Sequence, residues 1–243
     1  MISEKLKESL GDWECLYGFF ESDEWAKIKK AIKPDFAQTT PEIESWFKAF
    51  RLCPYKDLRV VWLGLSPYYT KDPYTNQNVA DGLGFSTDTK HSVPLGLFKI
   101  YKGMEDDLWR GINLNMDRTN DLSYLAEQGV LLINSALTTT YGKADSQLSI
   151  WEPFIQYVLK TISTEKEGII FCGFGKHAIK LISSTTQQEK HIIHEREHPA
   201  NSAHEYRTWR HENLFSKINE ELGKQDRGVI LWDKYLTRIE TPF

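Results

Sequence analysis

Residues 58–64 read LRVVWLG, a short apolar run that ends at Gly64 and gives way to a polar loop. Three similar runs follow along the chain: GVLLIN at 129–134, GIIFC at 168–172 and KHIIHE at 190–195. Each run is too short for an independent helix, is bounded by turn residues and is rich in β-branched side chains. This pattern predicts four buried strands of a parallel sheet.

Helical patterns lie between the predicted strands. From Trp151 to Ile162, apolar side chains recur with the i, i+3, i+4, i+7 spacing of a helix that faces a core. Residues 94–108 and 213–222 show a similar pattern. Alternating strands and helices predict an α/β fold, here a three-layer α/β/α arrangement around a central, mostly parallel four-stranded sheet.

The first fifty residues differ, because their pattern is helical throughout. They include DEWAKIKKAI at 23–32 and PEIESWFKAFRL at 41–52, and Pro41 indicates a helix start in the second segment. The chain has no repeat, no low-complexity tract and no linker rich in glycine, serine or proline. We therefore expect a single domain over residues 1–243, with a helical N-terminal extension over about residues 1–50.

Composition narrows the class of protein. Hydrophobic residues make up 40% and charged residues 26% of the 243 positions, which is typical of a folded globular chain. The formal net charge of −4 means that any contact with nucleic acid depends on a local surface. No apolar stretch approaches the length of a membrane span, and the first residues lack a signal-peptide core. We expect an intracellular protein without membrane contact, in the cytoplasm, or in the nucleus or host cell in a eukaryotic or viral setting.

Ligands of parallel sheets bind at the carboxyl ends of the strands, so the loops after the apolar runs are the places to search. The loop after Gly64 contains Pro-Tyr twice, preceded first by Ser66 and then by Asp72, and it continues into ADGLGFS at 80–86. The second run ends in Asn134 and the loop NSALTT, and the fourth is followed by REHPANSAHEYRTW at 196–209. Each loop carries polar or aromatic groups where a pocket would open.

These segments together resemble the uracil-DNA glycosylases, nearest the large family whose signature after the first strand is GQDPYH. FRLCPYKDLRVVWLG (50–64) resembles the lead-in to that signature, and ADGLGFS resembles the family's AHGLxFS. GVLLINSALTTTYGKADSQLSIWEPF (129–154) resembles GVLLLNxxLTVxxxxxxSHxxxGWExF, and GIIFCGFGKHA (168–178) resembles the third strand and its turn. HPANSAHEYRTWRHENLFSKINEEL (198–222) resembles HPSPLSxxxGFxxxxHFxxxNxxL. The matches keep the family order from about residue 48 to 222.

The resemblance implies a DNA glycosylase of base excision repair that removes uracil, or a related pyrimidine, after flipping the nucleotide into a pocket. Phe85 would stack on the base, and Asn134 would offer an amide donor and acceptor to its edge. Tyr68 would fill the space beside uracil C5 and exclude the thymine methyl group. His198 would donate a hydrogen bond to the oxyanion that develops on the departing base.

No metal or cofactor is expected. Some branches of the wider superfamily carry an iron–sulfur cluster, but Cys15, Cys53 and Cys172 are too few and too widely spaced to supply four ligands.

Contacts with the DNA backbone are implied for Ser92 and Pro94, before the next helix, and for Ser202 after His198. Asn201 stands where the family's HPSPLS carries a leucine that enters the DNA stack, and this loop is one residue shorter. An apolar wedge helps to hold an unstacked duplex open. Its loss makes flipping from duplex DNA less favourable, so we expect single-stranded DNA to be the preferred substrate.

The signature loop departs from the family at three positions. In register with GQDPYH, glutamine becomes Leu65, the aspartate that orients the attacking water becomes Ser66, and histidine becomes Tyr69. A serine can hold a water molecule but carries no charge, and losing a general base costs about 10²–10⁴-fold in rate. Asp72 precedes the second Pro-Tyr at the family's spacing from Gly82, and it could curl back into the site. We favour Ser66 at the water position because Gly64 fixes where the loop begins.

Three functions remain open on the sequence. The first is a glycosylase weakened by Ser66, and the second is a catalytically inactive DNA-binding or scaffold protein with the same fold. The third is a glycosylase for a shifted substrate, such as a 5-substituted uracil, with Tyr68 and Tyr69 reshaping the C5 side of the pocket and Leu65 making that side less polar. Retention of Asn134 and His198 favours an enzyme. We expect a monomer, and the N- and C-terminal segments are the expected surfaces for a protein partner.

Overall fold

The computed structural model describes residues 2–91, 93–109, 119–201 and 209–234, without the side chain of Asn201. Six strands lie within these ranges: β1 (Thr39–Thr40), β2 (Val60–Gly64), β3 (Val130–Asn134), β4 (Thr139–Thr140), β5 (Ile170–Phe174) and β6 (Ile192–Arg196). The four predicted strands correspond to β2, β3, β5 and β6. The short strands β1 and β4 form a separate antiparallel pair that the sequence pattern did not predict.

The central sheet has the strand order β3-β2-β5-β6, and all three pairings are parallel. Every residue of β2, β3 and β5 is buried, as expected for strands covered by helices on both faces. The prediction of an α/β fold with a central four-stranded parallel sheet between helical layers is therefore confirmed. The register pairs Gly64 with Asn134, so β2 and β3 end side by side.

Nine α-helices lie in the described ranges: α1 (Glu4–Leu10), α2 (Tyr17–Phe20), α3 (Asp23–Ile32), α4 (Lys48–Leu52), α5 (Leu95–Met104), α6 (Ser123–Ala126), α7 (Leu148–Glu165), α8 (Lys176–Thr185) and α9 (Leu214–Lys224). Short 3₁₀ turns cover Glu14–Leu16, Lys33–Gln38, Ile43–Ser45, Tyr55–Asp57, Gln188–Lys190 and Pro199–Asn201, and a π turn covers Glu105–Trp109. The predicted helix at 23–32 is confirmed. None of the described helices is both long and apolar enough to span a membrane.

The predicted helix start at Pro41 is wrong. Strand β1 pairs with β4 immediately before Pro41, which keeps this part of the chain extended. The indole N–H of Trp46 then donates to the carbonyl oxygen of Pro41 across 3.1 Å and folds the segment back on itself. Regular helix begins only at Lys48, because pairing with a distant strand outweighs the local helical pattern.

Large aromatic side chains fill the core. Trp62 of β2 stacks on Trp232 with ring centroids 5.6 Å apart, and it meets the ring of Phe174 edge-on at 5.2 Å. The C-terminal segment thus packs on the sheet. At the other end of the chain, Trp13 and Trp25 are also buried, so both terminal segments contribute to the core. Their use as a surface for a protein partner stays a prediction.

Candidate active site

A small cavity of about 40 Å³ opens at the carboxyl ends of the sheet strands. Its walls come from the loops after β2, β3 and β6 and from the first turn of α5: Ser66, Pro67, Tyr68, Ala80, Leu83, Phe85, Gly96, Asn134, His198 and Ala200. Five residues singled out from the sequence, Ser66, Tyr68, Phe85, Asn134 and His198, therefore meet around one space. Parallel strands bring their ends to the same edge of the sheet, which explains why such distant loops converge.

The floor of the cavity depends on the absence of a side chain at Gly64. A Cβ atom at this position would lie 2.3 Å from Oδ1 of Asn134 and 3.2 Å from the ring of Phe85. The strand backbone can approach both side chains only because Gly64 is a glycine. Asn134 is 8% exposed, and within the described part of the chain its side-chain amide has no hydrogen-bond partner. A nearly buried amide in this state is available to a ligand, since leaving it unpaired is unfavourable.

Phe85 is held in an uncommon backbone conformation. Its φ of +66° is rare for a bulky residue, and such strain persists only where the surroundings impose it. The hydroxyl of Tyr68 donates to the carbonyl oxygen of Phe85 across 2.9 Å, and the rings of Phe174 and Phe85 meet edge-on at 5.2 Å. Burial raises the pKa of Tyr68 far above its ordinary value, so this hydroxyl stays protonated and continues to donate. Phe85 and Tyr68 thus form a rigid wall.

Asp81 braces the loop that carries Phe85. Its carboxylate accepts hydrogen bonds from the backbone N–H of Leu83 and the hydroxyl of Ser86, and it pairs with Lys48 across 2.9 Å. Burial raises the pKa of Asp81, and the charge of Lys48 partly opposes that rise. The carboxylate is therefore occupied by structural contacts.

His198 faces the ring of Phe85, with ring centroids 5.5 Å apart. Its Nδ1 accepts a hydrogen bond from the backbone N–H of Ala200 at 3.2 Å, so the proton of the neutral ring resides on Nε2. Burial lowers the pKa of His198 below its ordinary value of 6.5, and the charge of Asp145 opposes this shift. A neutral imidazole whose Nε2–H has no partner among the described residues is suited to donating a hydrogen bond inside the cavity.

Ser66 lies at the cavity wall next to a carboxylate from another loop. The hydroxyl of Ser66 donates to Oδ1 of Asp145 across 2.7 Å, whereas its contact with the carbonyl oxygen of Pro67 measures 3.5 Å. Asp145 belongs to the exposed loop between β4 and α7. The role of Asp145 is not apparent from the sequence, because this residue lies at a position that the family pattern leaves unspecified. The available signal was that it is the one acidic residue in positions 135–151.

Comparison with known proteins places this arrangement in a family. No protein-family model matches the chain. It is 35% identical over 227 residues to a protein named uracil-DNA glycosylase from Campylobacter jejuni subsp. doylei, which covers 91% of this chain and 92% of that protein. The chain belongs to the uracil-DNA glycosylase family. It is also 36% identical over 196 residues to uracil-DNA glycosylase 1 of Listeria innocua serovar 6a, with 79% of this chain and 82% of that protein covered.

A solved uracil-DNA glycosylase shares the fold. The crystal structure of the mimivirus uracil-DNA glycosylase superposes with a TM-score of 0.84, covering 94% of this chain and 89% of that one. Sequence identity to it is 23%, so the likeness concerns the fold.

Not every residue transferred from the glycosylase family reaches the cavity. Oδ1 of Asp72 accepts hydrogen bonds from the backbone N–H groups of Tyr74 and Thr75, each across 2.9 Å. Asp72 thus caps its own turn and is not among the residues that line the cavity, so the structure does not bring it into the site. Leu65 does not line the cavity either, and its carbonyl oxygen accepts from the backbone N–H of Ala136.

The residues expected to contact the DNA backbone are described only in part. Pro94 precedes α5, and its carbonyl oxygen accepts from the backbone N–H of Phe98. Gly96, in the first turn of α5, lines the cavity. Asn201 ends the 3₁₀ turn that begins one residue after His198. Ser92 and Ser202 lie outside the described residues. Among the described residues, no group of histidine, cysteine and acidic side chains could hold a metal ion.

Proposed function

We propose that this chain hydrolyses the N-glycosidic bond of uracil in DNA and so starts base excision repair. The observation that carries the proposal is the meeting of the Asn134 amide, which has no hydrogen-bond partner among the described residues, with a neutral Nε2–H donor at His198, beside the ring of Phe85. Membership of the uracil-DNA glycosylase family supports it. A base-reading amide and a donor for a developing negative charge are the two features that such a reaction needs.

Recognition of the base follows from the cavity walls. The flipped base lies against Phe85, and the amide of Asn134 both donates to and accepts from its edge. Cytosine presents the opposite pattern of donor and acceptor at that edge, so the same amide rejects it. Tyr68, held by its hydrogen bond to the carbonyl oxygen of Phe85, occupies the side where thymine carries its methyl group.

Cleavage relies on stabilising separated charge. As the bond between C1′ and N1 breaks, its electron pair leaves with the base, and negative charge collects on the carbonyl oxygens of uracil. The Nε2–H of His198 donates to one of these carbonyl oxygens. The matching positive charge develops on the sugar. A water molecule then adds to C1′. One preorganised donor of this kind contributes about 10²–10³-fold in rate.

Single-stranded DNA is the preferred form of the substrate in this proposal. Exposed aromatic side chains lie on the loops that follow β2 and β4: Tyr69 is 41% exposed, Tyr74 79% and Tyr141 48%. Unpaired bases stack on such rings, and each stacked base contributes about 1–3 kcal/mol. Stacking also suits a chain whose net charge of −4 offers little general attraction to phosphates.

An inactive DNA-binding protein is the competing function, and Ser66 is the observation that favours it. The family's water-orienting aspartate is absent at this position, so the cavity could bind uracil without cleaving it. Retention of DNA binding without any release of base would distinguish this function from the first.

The deciding experiment is a single-turnover assay with protein in excess over a single-stranded oligonucleotide that carries one deoxyuridine. Abasic sites are revealed by alkaline cleavage. Two matched single strands carry thymidine or deoxycytidine in place of deoxyuridine, and a third substrate carries the deoxyuridine in a duplex. We expect cleavage only at uracil, faster in the single strand than in the duplex. Asn134→Ala should abolish cleavage. Asn78→Ala serves as the control, because the amide of Asn78 donates to Glu42 and does not line the cavity. Binding of the uracil strand without cleavage by the wild type would overturn the glycosylase and leave the binding protein.

A further inference from the structure

A carboxylate from a distant loop lies beside Ser66. Asp145 accepts a hydrogen bond from Ser66 across 2.7 Å, although the two residues are 79 positions apart in the chain. Ser66 lines the cavity, so this contact places a carboxylate next to a residue of the cavity wall. Of the other acidic groups, Asp72 gives its Oδ1 to its own turn and does not line the cavity, and Asp81 pairs with Lys48.

The loop that carries Asp145 is held in place by its neighbours. The hydroxyl of Ser146 accepts from the backbone N–H of Thr140 across 2.9 Å and lies 3.1 Å from the hydroxyl of Thr139. Gln147, the residue after Ser146, is buried, and its amide oxygen accepts a hydrogen bond from the hydroxyl of Thr138. Asp145 therefore extends from a segment anchored immediately after it. Such anchoring is what a preorganised catalytic group requires.

A second contact joins the loops of Ser66 and Asp145 to each other. The backbone N–H of Gly142 donates to the carbonyl oxygen of Tyr69 across 2.8 Å. Asp145 itself has a φ of +56°, a left-handed conformation that aspartate tolerates better than most residues. The contact between Ser66 and Asp145 is thus supported by backbone geometry as well as by the side chains.

The charge of Asp145 also affects His198. Its charge raises the pKa of His198 against the lowering effect of burial, so its field reaches the imidazole. A negative charge with this reach is placed to stabilise positive charge that develops in the cavity. In the reaction proposed above, that positive charge develops on the sugar.

We propose that Ser66 and Asp145 together replace the single water-orienting carboxylate of the family, with Ser66 holding the attacking water and Asp145 as the positioning residue behind it. The inference rests on the proposed glycosylase function. The water oxygen gives an electron pair to C1′, its proton passes to Oγ of Ser66, and the serine proton passes to Oδ1 of Asp145. The electron pair of the C1′–N1 bond leaves with uracil as an anion, which takes up a proton from solvent. Asp145 returns its proton to solvent afterwards.

The test compares Asp145→Asn with Asp226→Asn in the single-turnover assay. Both aspartates are exposed and have left-handed backbone conformations, with φ of +56° and +55°, and asparagine keeps both the shape and this conformation. We expect Asp145→Asn to lower the cleavage rate by about 10²-fold, the lower end of the loss expected for a general base. Asp226→Asn should stay within twofold of the wild type. Affinity for an oligonucleotide with non-hydrolysable 2′-fluoro-deoxyuridine should stay within about threefold for both variants.

A swap of the carboxylate separates a chemical role from a structural one. Ser66→Asp combined with Asp145→Asn moves the charge to the position that the family uses, and it should recover at least tenfold of the rate lost in Asp145→Asn. If wild type cleaves and Asp145→Asn is equally fast, the inference is wrong while the glycosylase function stands. A slow Asp145→Asn that the swap fails to rescue would also overturn it, in favour of a purely structural aspartate. If neither wild type nor the swapped variant cleaves, the glycosylase function itself fails.

Discussion

The backbone N–H of Ala200 donates to Nδ1 of His198 across 3.2 Å, and this one contact decides which ring nitrogen can act in the cavity. With Nδ1 occupied as an acceptor, the ring proton resides on Nε2 and is available as a donor. The 3₁₀ turn Pro199–Asn201 creates the contact, because it folds the chain back over the imidazole.

The first prediction concerns removal of this donor. His198→Ala should lower the single-turnover rate on uracil by about 10²–10³-fold, as expected for the loss of one oxyanion donor. His211→Ala is the matched control, because its Nδ1 accepts from the backbone N–H of Asn213 in the same local geometry, outside the cavity lining. Equal rates for the two variants would contradict the role of His198.

The second prediction is that His198 makes folding stability depend on pH. Burial lowers the pKa of His198 below 6.5, with Asp145 opposing, so the unfolded chain gains a proton before the folded chain does. Stability is therefore full above 6.5 and is lost as the pH falls toward the folded-state pKa. One proton changes the free energy of unfolding by at most about 1.4 kcal/mol per pH unit. The Tm of the wild type should fall more between pH ~7 and ~5 than that of His198→Gln. Parallel curves would contradict this.

The third prediction uses the close approach at Gly64. Gly64→Ala introduces a Cβ at 2.3 Å from Oδ1 of Asn134, so the amide must move away from the base. A displacement on this scale costs about 10²-fold in rate. Gly223→Ala, in α9 with no atom within 4 Å of the added carbon, should leave the rate unchanged and the Tm equal or higher. A fully active Gly64→Ala enzyme would show that Asn134 does not read the base.

The fourth prediction concerns the discrimination against thymine. Tyr68→Ala opens the side of the cavity where the thymine methyl group would lie, and it should narrow the preference for uracil over thymine by about 10–200-fold. Tyr68→Phe keeps the ring and loses only the hydrogen bond to the carbonyl oxygen of Phe85, so its preference should match the wild type. Cleavage rates on oligonucleotides with uracil or thymine check both variants. Unchanged discrimination in Tyr68→Ala would show that Tyr68 does not exclude thymine.

The fifth prediction assigns Asp72 to the turn rather than to the chemistry. Asp72→Asn retains an oxygen that can accept from Tyr74 and Thr75, so its cleavage rate should stay within about threefold of the wild type. Asp72→Ala should lower the free energy of unfolding, because it removes the acceptor of two backbone hydrogen bonds that hold the turn. Denaturation and single-turnover assays measure the two effects separately. A large rate loss in Asp72→Asn would contradict this prediction and show that Asp72 takes part in the reaction.

The sheet was predictable because its signal is local. Residues 130–133, for example, are all apolar, as is typical of a strand buried on both faces. That the loops after the strands meet follows from the same step, since parallel strands end at one edge, whereas the resemblance to the glycosylases singled out Asn134, Phe85 and His198 in those loops. The failure at Pro41 has the opposite cause: pairing between β1 and β4, about one hundred residues apart, overrides the local helical pattern.

The sequence by itself determined the central sheet, the helices between its strands and the loops that surround the cavity, because hydrophobic periodicity and turn residues act over a few neighbouring positions. The tertiary structure decided which carboxylate meets Ser66. Asp72 is near in sequence but turns into its own loop, whereas Asp145 arrives from 79 residues away through an anchored loop with a left-handed backbone. A contact of that kind depends on how two distant loops pack together, and no local pattern of residues encodes it.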